Sequence, residues 1–117
     1  MSVKDLNCEI GERIMGWEVN CEERIYRDYS SEAGVYPRLP DFVVDGFANQ
    51  MLRSKMQSLG YALTITENPL DFENNVGRTF TATYMRANKI FKTTQADGNM
   101  AVCVAALDAV AGFGINK

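Results

Sequence analysis

A chain of 117 residues with 46% hydrophobic and 23% charged side chains has the size and composition of a single globular domain, 1–117, with material for one core. Its net charge of −3, with lysines and arginines scattered among acids, argues against duplex nucleic acid as a partner. A small anion remains possible, because a pocket needs only two or three cations.

Histidine is absent. That removes the commonest general base, the His-dependent nucleophile systems and the most frequent zinc ligand. The expectation is therefore a protein that is not an enzyme and has no catalytic residues, no metal and no cofactor. Cys8, Cys21 and Cys103 are odd in number and widely spaced, so they are expected as buried free thiols rather than a metal pair or a disulfide framework. No segment approaches the ~20 apolar residues of a membrane span, and the N-terminus lacks the apolar stretch of a signal peptide. These features predict a cytoplasmic protein with no membrane contact.

Along the chain, Leu6, Ile10, Ile14 and Trp17 (or Met15) recur at helical spacing opposite Lys4, Asp5, Glu9, Glu12 and Arg13. They predict an amphipathic first helix, interrupted at Gly11 and ended near Gly16. The stretch EVNCEERIYRDYSSEAGVYPRLPDF (18–42) is dense in turn formers and aromatics and contains Pro37 and Pro40. It predicts a long ordered loop with a short strand around Ile25–Tyr26. Asp41 or Asp45 can cap a second helix, with Val44, Phe47, Met51, Met56 and Leu59 as its apolar stripe and Gly60 as its stop.

YALTIT (61–66) alternates as a strand does, and ENPLDFENNVG (67–77) is a turn. In RTFTATYMRA (78–87), Arg78, Phe80, Ala82, Tyr84 and Arg86 fall on one face of a second strand; NKIFKTTQ (88–95) predicts a further strand or the continuation of a hairpin. Asp97 or Asn99 can cap a last helix. From Met100 to Val110 every side chain except Asp108 is apolar, which describes a helix buried all round. Either its own sheet covers it, or a partner subunit covers part of it. The whole reads as α+β: a small layered sandwich of an antiparallel sheet with about three helices.

IGERIMGW (10–17), LPDFVVDGFANQMLRSKMQSLG (39–60) and ADGNMAVCVAALDAV (96–110) occur in an order that resembles the phage ABA-sandwich domain family. Met15, Gly16 and Trp17 match that family's Met-Gly-Trp-like element, and Ala105 and Ala106 match its Ala-rich last helix. The resemblance spans all but residues 18–36 and departs at PDFVVDGF, where the family's Ser/Thr-Asp pair is missing. It implies a fold and a phage origin. The chain is also similar to the first type of phage anti-Thoeris proteins. That similarity implies a small oligomer in the cytoplasm of an infected host cell. Such an oligomer sequesters a nucleotide-derived immune signal, a cyclic oligonucleotide or a cyclic ADP-ribose isomer, without cleaving it. The alternative is a structural or protein-interaction module that inhibits a host protein directly and has no small-molecule ligand.

A protein that holds a nucleotide needs cations for phosphate, flat surfaces for the base, and hydrogen-bond donors. Gly98, Asn99 and Met100 at the start of the last helix offer backbone N–H groups, although an ordinary capped helix has the same pattern. Arg78 and Arg86 bracket Phe80 and Tyr84 on one strand face, so a base could stack while guanidiniums hold phosphate; alternatively the two rings are core and the arginines solvated. Arg24 and Arg27 could reach across a subunit boundary, though Glu22, Glu23 and Asp28 beside them also make a solvated charge run. The carboxylates of CEER and ENPLDFE fit no EF-hand spacing, and GFGINK fits neither the Walker nor the Rossmann pattern.

Overall fold

In chain order the elements are α1 (Val3–Arg13), β1 (Glu18–Asn20), β2 (Ile25–Arg27), α2 (Gly46–Ser58), β3 (Ala62–Asn68), β4 (Thr79–Arg86), β5 (Lys89–Gln95) and α3 (Gly98–Gly112). The structure is a computed structural model that describes residues 3–28, 38–75 and 77–112. The middle of the predicted loop, residues 29–37 with Pro37, lies outside the described residues. The fold is α+β, as expected: three helices and two antiparallel sheets, β1–β2 and β3-β4-β5.

Leu6, Ile10, Ile14 and Trp17 are buried, as their spacing predicts. The first helix nevertheless runs through Gly11 instead of breaking there. A Cβ at Gly11 would come within 2.9 Å of the Val19 side chain and 3.4 Å of Trp17 and Leu39. The glycine is what lets β1 close onto α1, and that packing offsets its cost in a helix. The same closure joins Cys8 to Cys21 as a disulfide, with Cα atoms 5.9 Å apart. This corrects the expectation of three free thiols. Only Cys103 is free, and it is buried.

Asp45 caps α2, its carboxylate accepting from Phe47 N at 2.9 Å and Ala48 N at 3.3 Å. Asp41 ties the preceding turn by accepting from Val43 N and Val44 N. At the far end the chain leaves the helix through Gly60 at φ +95°, a conformation that favours glycine. The buried face consists of Ala48, Asn49, Leu52 and Met56, so the expected stripe is only partly right. Val44 and Phe47 are 78% and 77% exposed. Val44 precedes the cap, and Phe47 stands a residue out of phase with Ala48, Leu52 and Met56, about 100° round the helix.

In the larger sheet, Leu63 pairs with Tyr84 and Tyr84 with Phe91; Ala82 lies between Ile65 and Thr93, and Phe80 between Glu67 and Gln95. These residues share one face, which α3 covers over β4 and β5 while α2 lies beside β3. The opposite face, with Thr64, Thr66, Met85, Ile90, Lys92 and Thr94, is exposed. In α3, Ala101, Val102, Cys103, Ala105, Ala106, Ala109 and Val110 are all buried. Its contacts are with β4, β5, α1 and α2 of the same chain. The uniformly apolar helix is thus accounted for by its own subunit, and no partner is required to cover it. Among the described residues no helix is long and apolar enough to cross a membrane.

Candidate functional site

Between α2 and the β3–β4 side of the sheet lies a cleft of about 320 Å³. Gln50, Arg53, Ser54 and Gln57 form its helical wall; Tyr61, Leu63 and Tyr84 form the other side. It exists because α2 has its inward face turned to α3 and shows its polar flank to β3.

Arg53 is fixed by two neutral acceptors. Its Nε donates to Asn49 Oδ1 at 2.7 Å and its Nη2 to Asn99 Oδ1 at 3.3 Å. Each amide is oriented by its other end. Asn49 Nδ2 donates to the Phe42 carbonyl at 2.8 Å and approaches Cys103 Sγ at 3.8 Å. Asn99 Nδ2 donates to the Val43 carbonyl at 2.9 Å. Both amide oxygens are therefore left pointing at the guanidinium. A guanidinium has five N–H donors, so three are unspent. Arg13 pairs with Glu9 and Arg78 with Glu67; among the described residues Arg53 has no carboxylate partner.

The Tyr84 side chain is 1% exposed, and its hydroxyl has no hydrogen-bond partner. Burial raises its pKa above the ordinary tyrosine value, against the opposing pull of the nearby Arg53 charge. Tyr61 meets Tyr84 edge-on, with ring centroids 6.2 Å apart. The Tyr61 hydroxyl donates to the Ala109 carbonyl at 3.3 Å, and the Arg86 guanidinium lies 5.4 Å above the Tyr61 ring.

Of the residues expected to bind ligand, Tyr84 lines this cleft, Asn99 holds its Arg53, and Arg86 stands beside it on Tyr61. Phe80 shares their sheet face, but four residues along β4 from Tyr84, about 13 Å at strand spacing. It lies under Gly98, where an added Cβ would be 3.5 Å from its ring. The two rings do not form one stacking surface. Arg78 is held by Glu67 at 3.0 Å. At the start of α3, the Met100 N–H is taken by the Asp97 carboxylate at 3.0 Å, which places a negative charge where an anion was expected. Arg24 and Arg27 belong to the β1–β2 hairpin, packed on α1. A larger concavity there, about 810 Å³, is lined by Glu18, Glu22 and Glu23 and would repel an anion. Among the described residues no three His, Cys, Asp or Glu side chains gather as a metal site would need.

Sequence reasoning missed Arg53, Gln50, Gln57 and Tyr61. Gln50, Arg53 and Gln57 follow i, i+3, i+7 spacing, which places them on one polar stripe. Such a stripe reads as a solvated helix face until β3 is seen to lie against it.

No family model matches the chain, and no curated protein matches it in sequence. A crystal structure of a phage protein from Bacillus cereus ATCC 14579 superposes with a TM-score of 0.72, over 95% of this chain and 89% of that one, at 16% identity. This chain therefore shares its fold with a phage protein.

Proposed function

We propose that the chain is a phage-encoded, oligomeric binding protein that sequesters a nucleotide-derived small molecule in the cytoplasm of an infected host, without cleaving it. One observation carries this reading. In the α2–β3 cleft a fixed guanidinium with unspent donors stands beside two tyrosine rings and the side-chain amides Gln50 and Gln57. Cation, ring surface and amide donors are what phosphate and base require. Sharing a fold with a phage protein agrees with it.

The chemistry of the cleft wall supports binding without turnover. Guanidinium, amides and hydroxyls are poor proton acceptors near neutral pH, and burial moves Tyr84 further from ionisation. Self-association, in this reading, uses the exposed sheet face with Met85 and Ile90 rather than α3.

The test is to incubate the protein with cyclic dinucleotides, cyclic trinucleotides and cyclic ADP-ribose isomers, desalt it, and release ligand by heating. Recovery of an intact nucleotide is expected. A changed product makes the protein an enzyme; no retention of any of them removes the reading.

A second reading has its own support. Met15, Phe47 and Met51 line an apolar groove on the outer side of α2, and Val44 is exposed nearby. Such a patch suits a module that inhibits a host protein directly. That reading predicts one stoichiometric partner from host lysate, lost in Phe47→Ser.

A further inference from the structure

We propose that Arg53 is the anion-gripping residue of the α2–β3 cleft, and that the cleft takes one singly charged phosphodiester attached to a flat ring. The inference rests on the binding reading above and assigns its site and ligand class.

Three features converge on Arg53. Its orientation is fixed from both sides by amides whose own orientation is fixed by backbone carbonyls. Among the described residues no carboxylate neutralises it, although partly buried guanidiniums are normally paired. Tyr84, lining the same cleft, has a hydroxyl shut off from solvent and unsatisfied within the chain. A buried hydroxyl left in this way costs stability that an acceptor oxygen reaching it from the cleft, with the covering side chains displaced, would recover. Guanidinium donors and a hydroxyl together match the two unesterified oxygens of a phosphodiester.

Size selects the ligand further. At about 320 Å³, the cleft sits at the lower end of ligand pockets and suits one nucleotide unit. The ring would lie toward Tyr61 and Leu63, with Gln50, Ser54 and Gln57 at its polar edge.

The experiment uses the full chain, labelled for Arg Nε–H and tyrosine-ring NMR, with three probes: 3′,5′-cyclic AMP, adenosine and inorganic phosphate. Cyclic AMP is expected to shift the Arg53 Nε–H and Tyr84 ring signals, and to do so more than either fragment. Arg53→Gln should weaken cyclic AMP binding about tenfold or more. Tyr84→Phe should weaken it severalfold while raising the Tm of the free protein, because the unsatisfied hydroxyl is gone. If no probe moves the Arg53 Nε–H, or if both variants bind as the wild type does, the assignment is wrong. The two failures are distinguishable: a wild type that still retains nucleotide while both variants do too keeps the function and loses this site. A wild type that retains none of the nucleotides, with Arg53 still shifting on cyclic AMP, keeps the site and loses the sequestering role.

Discussion

Asn7 Oδ1 accepts the backbone N–H of Phe42 at 2.9 Å, tying α1 to the segment that leads into α2. The carbonyl of the same residue accepts from Asn49 Nδ2 at 2.8 Å. One peptide position is thus clamped by side-chain amides from two helices, both fully or almost fully buried. Buried asparagine is uncommon, and here each supplies what a non-repetitive backbone cannot find from a helix or sheet.

Asn7→Ala leaves the Phe42 N–H buried and unpaired, which costs about 1–3 kcal/mol. Asn49→Ala should cost more, since it frees the Phe42 carbonyl and also releases Arg53 Nε. Urea unfolding of the two variants checks the order. Equal and negligible losses would mean that water satisfies Phe42 without either amide.

Alkaline pH should expose the strain of burying Cys103. Burial, and next the nearby Asp41 carboxylate, push its thiol from the ordinary 9.0 up to about 12. Below pH 9 the thiol is neutral folded or unfolded, so its contribution is fully present. Above that only the unfolded chain ionises, and stability declines as pH rises toward the folded value. The slope for one such group is about 1.4 kcal/mol per pH unit. Cys103→Ala should unfold more easily at pH 8, yet lose stability less steeply than wild type between pH 9 and 10. Parallel curves from urea titrations would show that the thiol does not titrate in this window.

The architecture was legible because hydrophobic period decides it. Alternation gave β4 and the helical spacing of Leu6, Ile10 and Ile14 gave α1, and each came out with the face it implied. What stayed hidden depends on which surfaces meet. Phe47 sits on the predicted stripe yet faces water, because the face that packs inward carries Ala48, Leu52 and Met56. Cys8 and Cys21 are thirteen positions apart, and nothing in that spacing reveals that Gly11 lets the hairpin close. Arg53 was invisible for the opposite reason. It looks like any solvated helix residue, and only Asn99, 46 positions later, distinguishes it.

The pairing of Cys8 with Cys21 makes a counting prediction. Protein purified without reductant and unfolded in guanidinium should take up one alkylating group per chain, at Cys103, and three after reduction. The folded protein should react slowly at Cys103, whose thiol is buried and far from ionised at neutral pH. By the loop-entropy relation, a closure this short contributes up to about 3 kcal/mol, so reductant should lower the Tm by several degrees. Three rapidly reactive thiols in the unreduced, unfolded chain would show that the bridge is not formed.

Charge placed on α3 separates burial by the chain itself from burial by a partner. Ala105 and Ala109 lie four residues apart on one stripe, and Ala106 is about 100° away. If a sister subunit covered one stripe, glutamate there would split the oligomer and leave each chain folded. All three alanines are instead fully buried against the sheet and the other helices of the same chain. An unpaired carboxylate in that setting costs several kcal/mol, a large part of the stability of a domain this size. Ala105→Glu, Ala106→Glu and Ala109→Glu should therefore all unfold the protein, seen as loss of helical signal in circular dichroism at 25 °C. Asp108→Lys, at the exposed position between them, should leave it folded. A glutamate variant that kept its helical content while light scattering showed a smaller species would put the subunit contact back on α3.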